Sequence, residues 1–196
     1  MIMKRTFFFI SIAIVMGMTA CIKNDQVTFT DGVAEFDATS WNANAAGVNY
    51  PLMTRVPYMG NATTTAAFTL HRSTGTVRLR VNMVGAVSKS DITVGFKLFD
   101  VPFTTVAFPA TASGQTPSRA SGTLAASPAV PGTHYTALGS TVTIPADSTW
   151  GYLNIDILNV AATAGQCRTI GIALDSSGTV KPSVNYRNIA LAIDLR

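Results

Sequence analysis

The chain has 196 residues, of which only 12% are charged, and a formal net charge of +4. Without Lys4 and Arg5, which lie in a segment that we expect to be removed, 12 basic residues stand against 10 acidic ones. No basic run remains, so we expect no nucleic-acid partner. The length suits one domain with a real hydrophobic core, and a low-charge composition rich in Thr, Val and Gly favours strands over helices.

The first element is a predicted signal peptide, residues 1–20. Lys4 and Arg5 form a short positive region ahead of a mainly apolar run at 7–20. Fourteen residues are too few to span a bilayer comfortably but fit the apolar part of a secretory signal. We therefore expect the mature chain to begin near residue 21.

The sequence "MTAC" at 18–21 resembles the lipobox of bacterial lipoproteins. That resemblance implies cleavage between Ala20 and Cys21, lipid attached to the Cys21 sulfur, and a short lipidated tether at 21–26. It also implies an outer membrane lipoprotein, on either the cell surface or the periplasmic face. The alternatives are an ordinary secretory signal, in which Cys21 is incidental, and an uncleaved membrane anchor.

Residues 27–196 show two-residue alternation almost throughout and no helical periodicity. This pattern predicts one all-β domain, an antiparallel β-sandwich of seven to eight strands. Each strand is expected to turn one face to the core and the other to water. The segments read as strands are VTFT and VAEF (a hairpin through the turn DG), TVRLRVNMV, DITVGFKLF, STVTIP, WGYLNIDIL, CRTIGIAL and NIALAIDL. Their expected core residues include Val77, Leu79, Val81, Met83, Ile92, Val94, Phe96, Leu98, Ile189, Leu191, Ile193 and Leu195.

Between these strands, residues 109–133 are rich in Ala, Ser, Gly, Thr and Pro. So few large apolar side chains can bury little surface, and we expect a long exposed loop. A domain linker is the alternative, but the segments on either side hold too few strands for two sandwiches.

The strand at 150–158 has two different faces. Leu153, Ile155 and Ile157 point one way, toward the expected core. The opposite face carries the candidate ligand-binding residues Trp150, Tyr152, Asn154 and Asp156. Aromatic rings beside an amide and a carboxylate suit a sugar-binding face. The alternative is that the rings pack over a neighbouring strand or beneath the long loop.

The region "PGTHYTALGSTVTIPADSTWGYLNIDIL" resembles the Gly-x-Asp-Tyr and Pro-Ala-Gly strand pattern of Calx-beta domains. It equally resembles the immunoglobulin-like domains of Bacteroidota lipoproteins. Both resemblances imply a β-sandwich. His134 replaces the Asp of that pattern, and "NVAATAGQ" holds no acid where Calx-beta domains bind calcium. Since calcium needs oxygen ligands that usually include carboxylates, we expect no metal site.

The sequence favours neither a disulfide nor a catalytic site. If Cys21 carries lipid, Cys167 has no partner for a disulfide, and a small buried side chain is expected there. No motif of a catalytic or cofactor site appears, and we expect neither enzyme activity nor a cofactor. The sequence thus favours a membrane-anchored, non-catalytic binding or accessory module, for glycans or a neighbouring outer-membrane protein. A structural or adhesive subunit, similar to fimbrillin-like lipoproteins, is the alternative.

Overall fold

The computed structural model describes residues 32–37, 47–57 and 68–196. The predicted signal peptide, Cys21, the tether and the first strand of the expected hairpin lie outside the described residues. All regular structure in the described ranges is β-strand. Within these ranges no helix has the length and apolar character needed to cross a membrane.

The described residues form eleven strands. They are β1 (Val33–Phe36), β2 (Leu52–Met53), β3 (Thr76–Val84), β4 (Ile92–Phe99), β5 (Thr105–Phe108), β6 (Gly122–Pro128), β7 (Thr141–Ile144), β8 (Trp150–Asp156), β9 (Gln166–Asp175), β10 (Lys181–Pro182) and β11 (Asn188–Asp194). The all-β prediction is confirmed. The number exceeds the seven to eight expected because β2 and β10, of two residues each, and the β5–β6 hairpin give little periodic signal.

The strands form two sheets. The small sheet has the order β10-β1-β3-β8, and the large sheet has β2-β11-β9-β4-β7 with the β5–β6 hairpin joined to it through β9. Most neighbours are antiparallel, as expected. Three pairs are parallel, namely β1 with β10, β2 with β11, and β6 with β9. The sheets are therefore mixed, which strand periodicity alone does not distinguish.

The main core lies between the two sheets and takes alternate residues from each long strand. Val77, Leu79 and Val81 of β3 and Leu153 and Ile155 of β8 are buried there, as predicted. Most of the other expected core positions are buried as well, while Met83 is half-buried at the edge of the cluster. Leu98 is the exception: it is 40% exposed, because it lines a surface pocket.

Two strands are buried on both faces, which differs from the expected pattern of one core face and one water face. β11 buries six of its seven residues and β9 seven of its ten. Their outer faces pack under a second, smaller core that comprises Val106, Phe108, Leu124, Cys167 and Ala192. Cys167 is fully buried there, a small buried side chain as predicted, and this burial raises the pKa of its thiol to about 11.

The segment 109–133 is not an exposed loop throughout. Gly122–Pro128 forms β6, which pairs with both β5 and β9. Before it, the Gln115 side-chain amide donates to the Thr69 carbonyl (3.1 Å) and accepts from the Thr69 amide (3.0 Å). Gln115 thereby bonds to Thr69 as a neighbouring strand would, and it is 8% exposed. The sequence did not predict β6, because Leu124 is its one large apolar residue and the small residues around it show no clear alternation.

Candidate binding face

The β8 strand places the four predicted residues together on the outer face of the small sheet. Trp150 is 44% exposed, Tyr152 is half-buried, and Asn154 and Asp156 are exposed. The side chains between them face the core, as the two-residue period requires. The structure therefore brings these four residues onto one surface, in a row along one strand.

The neighbouring β3 strand adds a second row. The Met83 amide donates to the Thr149 carbonyl (2.7 Å), so these residues form a hydrogen-bonded pair. Hydrogen-bonded and non-hydrogen-bonded pairs alternate in an antiparallel ladder. The outer-face pairs are therefore all of the second kind, in which opposite side chains come closest. They are Asn82 with Trp150, Arg80 with Tyr152, Arg78 with Asn154, and Thr76 with Asp156.

The two arginines of β3 lie diagonally over the two aromatic rings. The Arg78 Cζ atom is 3.8 Å from the centroid of the Tyr152 ring, and the Arg80 Cζ atom is 5.5 Å from the Trp150 ring centroid. Both distances are in the range of cation–π contacts. Arg78 covers one side of the Tyr152 ring, so Trp150 is the more open of the two. We call Arg78, Arg80, Trp150 and Tyr152, together with Asn154 and Asp156, the aromatic–arginine face.

Arg80 is anchored from its other side. Its Nε atom lies 2.7 Å from the Asp37 carboxylate, whose side chain is only 5% exposed. Arg78, in contrast, is exposed and forms no ion pair with an acid in the described part of the chain. At the end of the row, the Thr76 hydroxyl donates to the Asp156 carboxylate (2.6 Å). The face thus offers one fixed guanidinium and one with spare donors.

Sequence reasoning found the β8 row but missed the β3 row that packs on it. The signal was present, because the alternation in TVRLRVNMV places Arg78, Arg80 and Asn82 on the outer face of β3. What the sequence does not contain is the register that sets β3 beside β8. Asp37, which holds Arg80, follows β1 and gives no signal of this role.

His134 has a local role in a turn, as its position in the sequence suggests. Its Nδ1 atom accepts a hydrogen bond from the Val130 amide (2.9 Å). Burial lowers the pKa of His134, with the Arg168 charge adding to the effect. Among the described residues, no group of three or more His, Cys, Asp and Glu side chains is arranged to hold a metal ion.

No protein-family model matches the chain, and neither does any curated protein. The apo form of the Calx CBD1 domain is similar over 63% of this chain and 85% of that one, with 15% identity and a TM-score of 0.42. CBD12 from CALX1.2 is similar at 15% identity, and the calcium binding domain CBD12 of CALX1.1 at 14%, both with a TM-score of 0.42. These matches cover 64% and 63% of this chain but only 40% and 39% of those longer chains.

Proposed function

We propose that this protein is an outer membrane lipoprotein, anchored through lipid on Cys21, whose β-sandwich is a non-catalytic module that binds glycans on the aromatic–arginine face. The observation that carries the glycan proposal is the exposed Trp150 ring in one row with Tyr152, over which Arg78 holds its spare donors. A sugar ring has an apolar side that packs on an aromatic ring and hydroxyls that need hydrogen-bond partners. Trp150 supplies the first and Arg78, Asn154 and Asp156 the second.

The face is also held in place before any ligand arrives. The Asp37 carboxylate fixes Arg80, and strand pairing fixes the spacing of the aromatic row. Side chains that are already ordered lose less conformational entropy on binding. A glycan would therefore meet a rigid surface, which favours capture by a preformed site.

The non-catalytic part of the proposal rests on how the acids of this face are engaged. Hydrolysis of a glycosidic bond by the common mechanisms needs two carboxyl groups that flank the bond. Asp37 is buried beside Arg80, and Asp156 accepts from the Thr76 hydroxyl. Asp37 therefore serves the structure of the face, which leaves Asp156 as a single exposed carboxylate where hydrolysis would need two.

A structural or adhesive subunit is the second candidate, because β8 is an edge of the described small sheet. An edge strand can pair with a strand from another copy. Some of the backbone groups on the outward edge of β8 nevertheless already have hydrogen-bond partners. The Ser148 hydroxyl accepts from the Trp150 amide (3.2 Å) and donates to the Trp150 carbonyl (2.8 Å), and the Thr136 amide donates to the Asp156 carbonyl (2.9 Å). The stretch between these caps, Tyr152 to Asn154, is short for strand exchange and favours the capture module.

Two measurements test the proposal. A glycan array probed with the mature chain in detergent should show binding that the Arg78→Met variant loses or weakens, since Arg78 supplies the free donors. Native mass measurement should show a monomer. An array with no bound glycan would contradict glycan capture, and a ladder of oligomers would favour the adhesive subunit.

A further inference from the structure

An open cleft lies on the outer side of the large sheet, away from the aromatic–arginine face. Its volume is about 990 Å³. The floor is formed by β4 and β9, where Lys97 pairs with Ala173, and one end is closed by the segment before β2 that carries Tyr50. Pockets of about 300–1,000 Å³ are typical of small-molecule sites. The cleft is thus large enough for a ligand of several rings.

One end of the cleft is aromatic. The rings of Tyr50 and Phe99 meet edge to face, with centroids 5.3 Å apart and planes at 79°. The Phe99 ring can approach the β9 backbone closely because position 171 is glycine. A Cβ atom there would be 2.7 Å from the ring and 2.4 Å from the Phe99 carbonyl oxygen. The arrangement gives the cleft an apolar wall at this end.

The remainder of the lining is polar and carries an excess of positive charge. Lys97 and Arg187 are exposed, and neither forms an ion pair among the described residues. The lining acid, Asp175, is engaged within its own turn, accepting from the Ser177 hydroxyl (2.5 Å) and amide (2.9 Å). These hydrogen bonds lower the pKa of Asp175, so its carboxylate stays ionised and occupied. The cleft therefore presents two cations against one internally satisfied anion.

We infer that this cleft is a second binding site, specific for a short oligosaccharide that carries carboxylates. Lys97 and Arg187 pair with the carboxylates of the ligand, and the Phe99 ring packs against the apolar side of a sugar ring. The side-chain amides of Asn49 and Asn188, which also line the cleft, serve the hydroxyls as donors and acceptors. This inference does not depend on the proposed function of the aromatic–arginine face, which lies on the other sheet.

Calorimetric titration of the mature chain in detergent tests the inference, with trigalacturonate as the probe. The neutral trisaccharide galactotriose should bind at least about tenfold more weakly, since the charge-assisted hydrogen bonds are lost. Lys97→Met and Arg187→Met should each weaken trigalacturonate binding by about tenfold, and added salt should weaken it further. The matched control is Lys89→Met, which removes one exposed positive charge far from the cleft and should leave the affinity unchanged.

Amide chemical shifts locate the bound probe and separate the two sites. Trigalacturonate should move the signals of Ala173 and Asn188. The inference is overturned if trigalacturonate does not bind, if galactotriose binds equally well, or if inorganic phosphate binds as tightly as the sugar acid. It is also overturned if only the Trp150 indole signal moves. That last result would leave the aromatic–arginine face as a glycan site. A response in the cleft without glycan binding at Trp150 would support the cleft and contradict the proposed function of the aromatic–arginine face.

Discussion

The carbonyl oxygen of Thr143 lies where a side chain on Gly151 would begin. An ideal Cβ atom at position 151 would be 2.2 Å from that oxygen, well inside contact distance. Thr143 belongs to β7, at the edge of the large sheet, and Gly151 to β8, at the edge of the small sheet. The two sheets therefore close against each other at this corner, and the glycine between Trp150 and Tyr152 makes the approach possible.

Gly151→Ala should destabilise the protein. The new methyl group would force β8 away from β7, and overpacking of this kind typically costs about 1–3 kcal/mol. Denaturant unfolding measures the change. Gly139→Ala is the matched control, because a Cβ atom there meets nothing within 4 Å. Equal stability of the two variants would show that the corner is not closely packed.

The two arginines of the face should differ in their effect on stability. Arg80→Met removes the guanidinium from a carboxylate with 5% exposure, and breaking a buried pair from one side costs about 3–5 kcal/mol. Because Arg80 is itself 26% exposed, solvent screening should reduce that cost to about 2 kcal/mol. Arg78→Met loses only a surface cation–π contact, worth about 0.5–1 kcal/mol. Thermal or urea unfolding of both variants decides, and an equal loss would contradict the anchoring role of Asp37.

Stability should fall as the pH is lowered below the ordinary histidine pKa of 6.5. Burial lowers the pKa of both His71 and His134, so the unfolded chain takes up protons in this range before the folded chain does. Their contribution to stability is complete above pH 6.5 and is lost as the pH falls through the lowered values. Urea unfolding at about pH 7.5 and about pH 5.5 measures it before most carboxylates titrate.

The matched control for this pH dependence is the double variant His71→Asn, His134→Asn. The His71 Nδ1 atom accepts from the Ser73 amide (3.2 Å), as His134 Nδ1 accepts from the Val130 amide. An Asn side chain can accept such a hydrogen bond but does not titrate. The variant should show a smaller difference between the two pH values. An unchanged difference would assign the pH dependence to other groups.

The membrane anchor has its own test. Cys21→Ser removes the thiol that would carry lipid, so the variant should remain an unacylated precursor or appear in the soluble fraction. Lipid labelling and membrane fractionation measure this outcome. Cys167→Ser is the control, since that buried cysteine should not affect acylation. If Cys21→Ser is labelled and fractionates as the unaltered chain does, the lipobox interpretation is wrong.

The sequence predicted those parts of the fold in which large apolar residues alternate with polar ones. In β3 and β8, the alternation of Val77, Leu79, Leu153 and Ile155 with polar residues predicts which face meets the core. β6 was not predicted because Ala, Ser and Thr surround Leu124, and a run of small residues is equally typical of a strand and of a loop. The parallel pairing of β10 with β1, and of β2 with β11, depends on contacts distant in sequence, which local periodicity does not encode.

The candidate face was predictable only as single strands. Alternation alone puts Trp150 and Tyr152 on one side of β8, and Arg78 and Arg80 on one side of β3. The diagonal stacking depends on register, which is set by long-range pairing. The cleft was still less predictable, because its cations come from β4 and from the turn before β11, and its Phe99 wall depends on the packing of that ring over Gly171.

The central claim is that the aromatic–arginine face binds a ligand, and the most direct test measures affinity and stability of Trp150→Ala together. With 44% exposure, Trp150 should contribute little to folding, about 1 kcal/mol or less, while its loss should abolish glycan binding at this face. Tyr186→Ala, an equally exposed aromatic at 44%, is the control and should still bind. We expect a folded Trp150→Ala variant in which no glycan binds at the aromatic–arginine face. A variant that keeps the full affinity of the unaltered chain, or one that loses about 3–5 kcal/mol as a buried aromatic would, contradicts it.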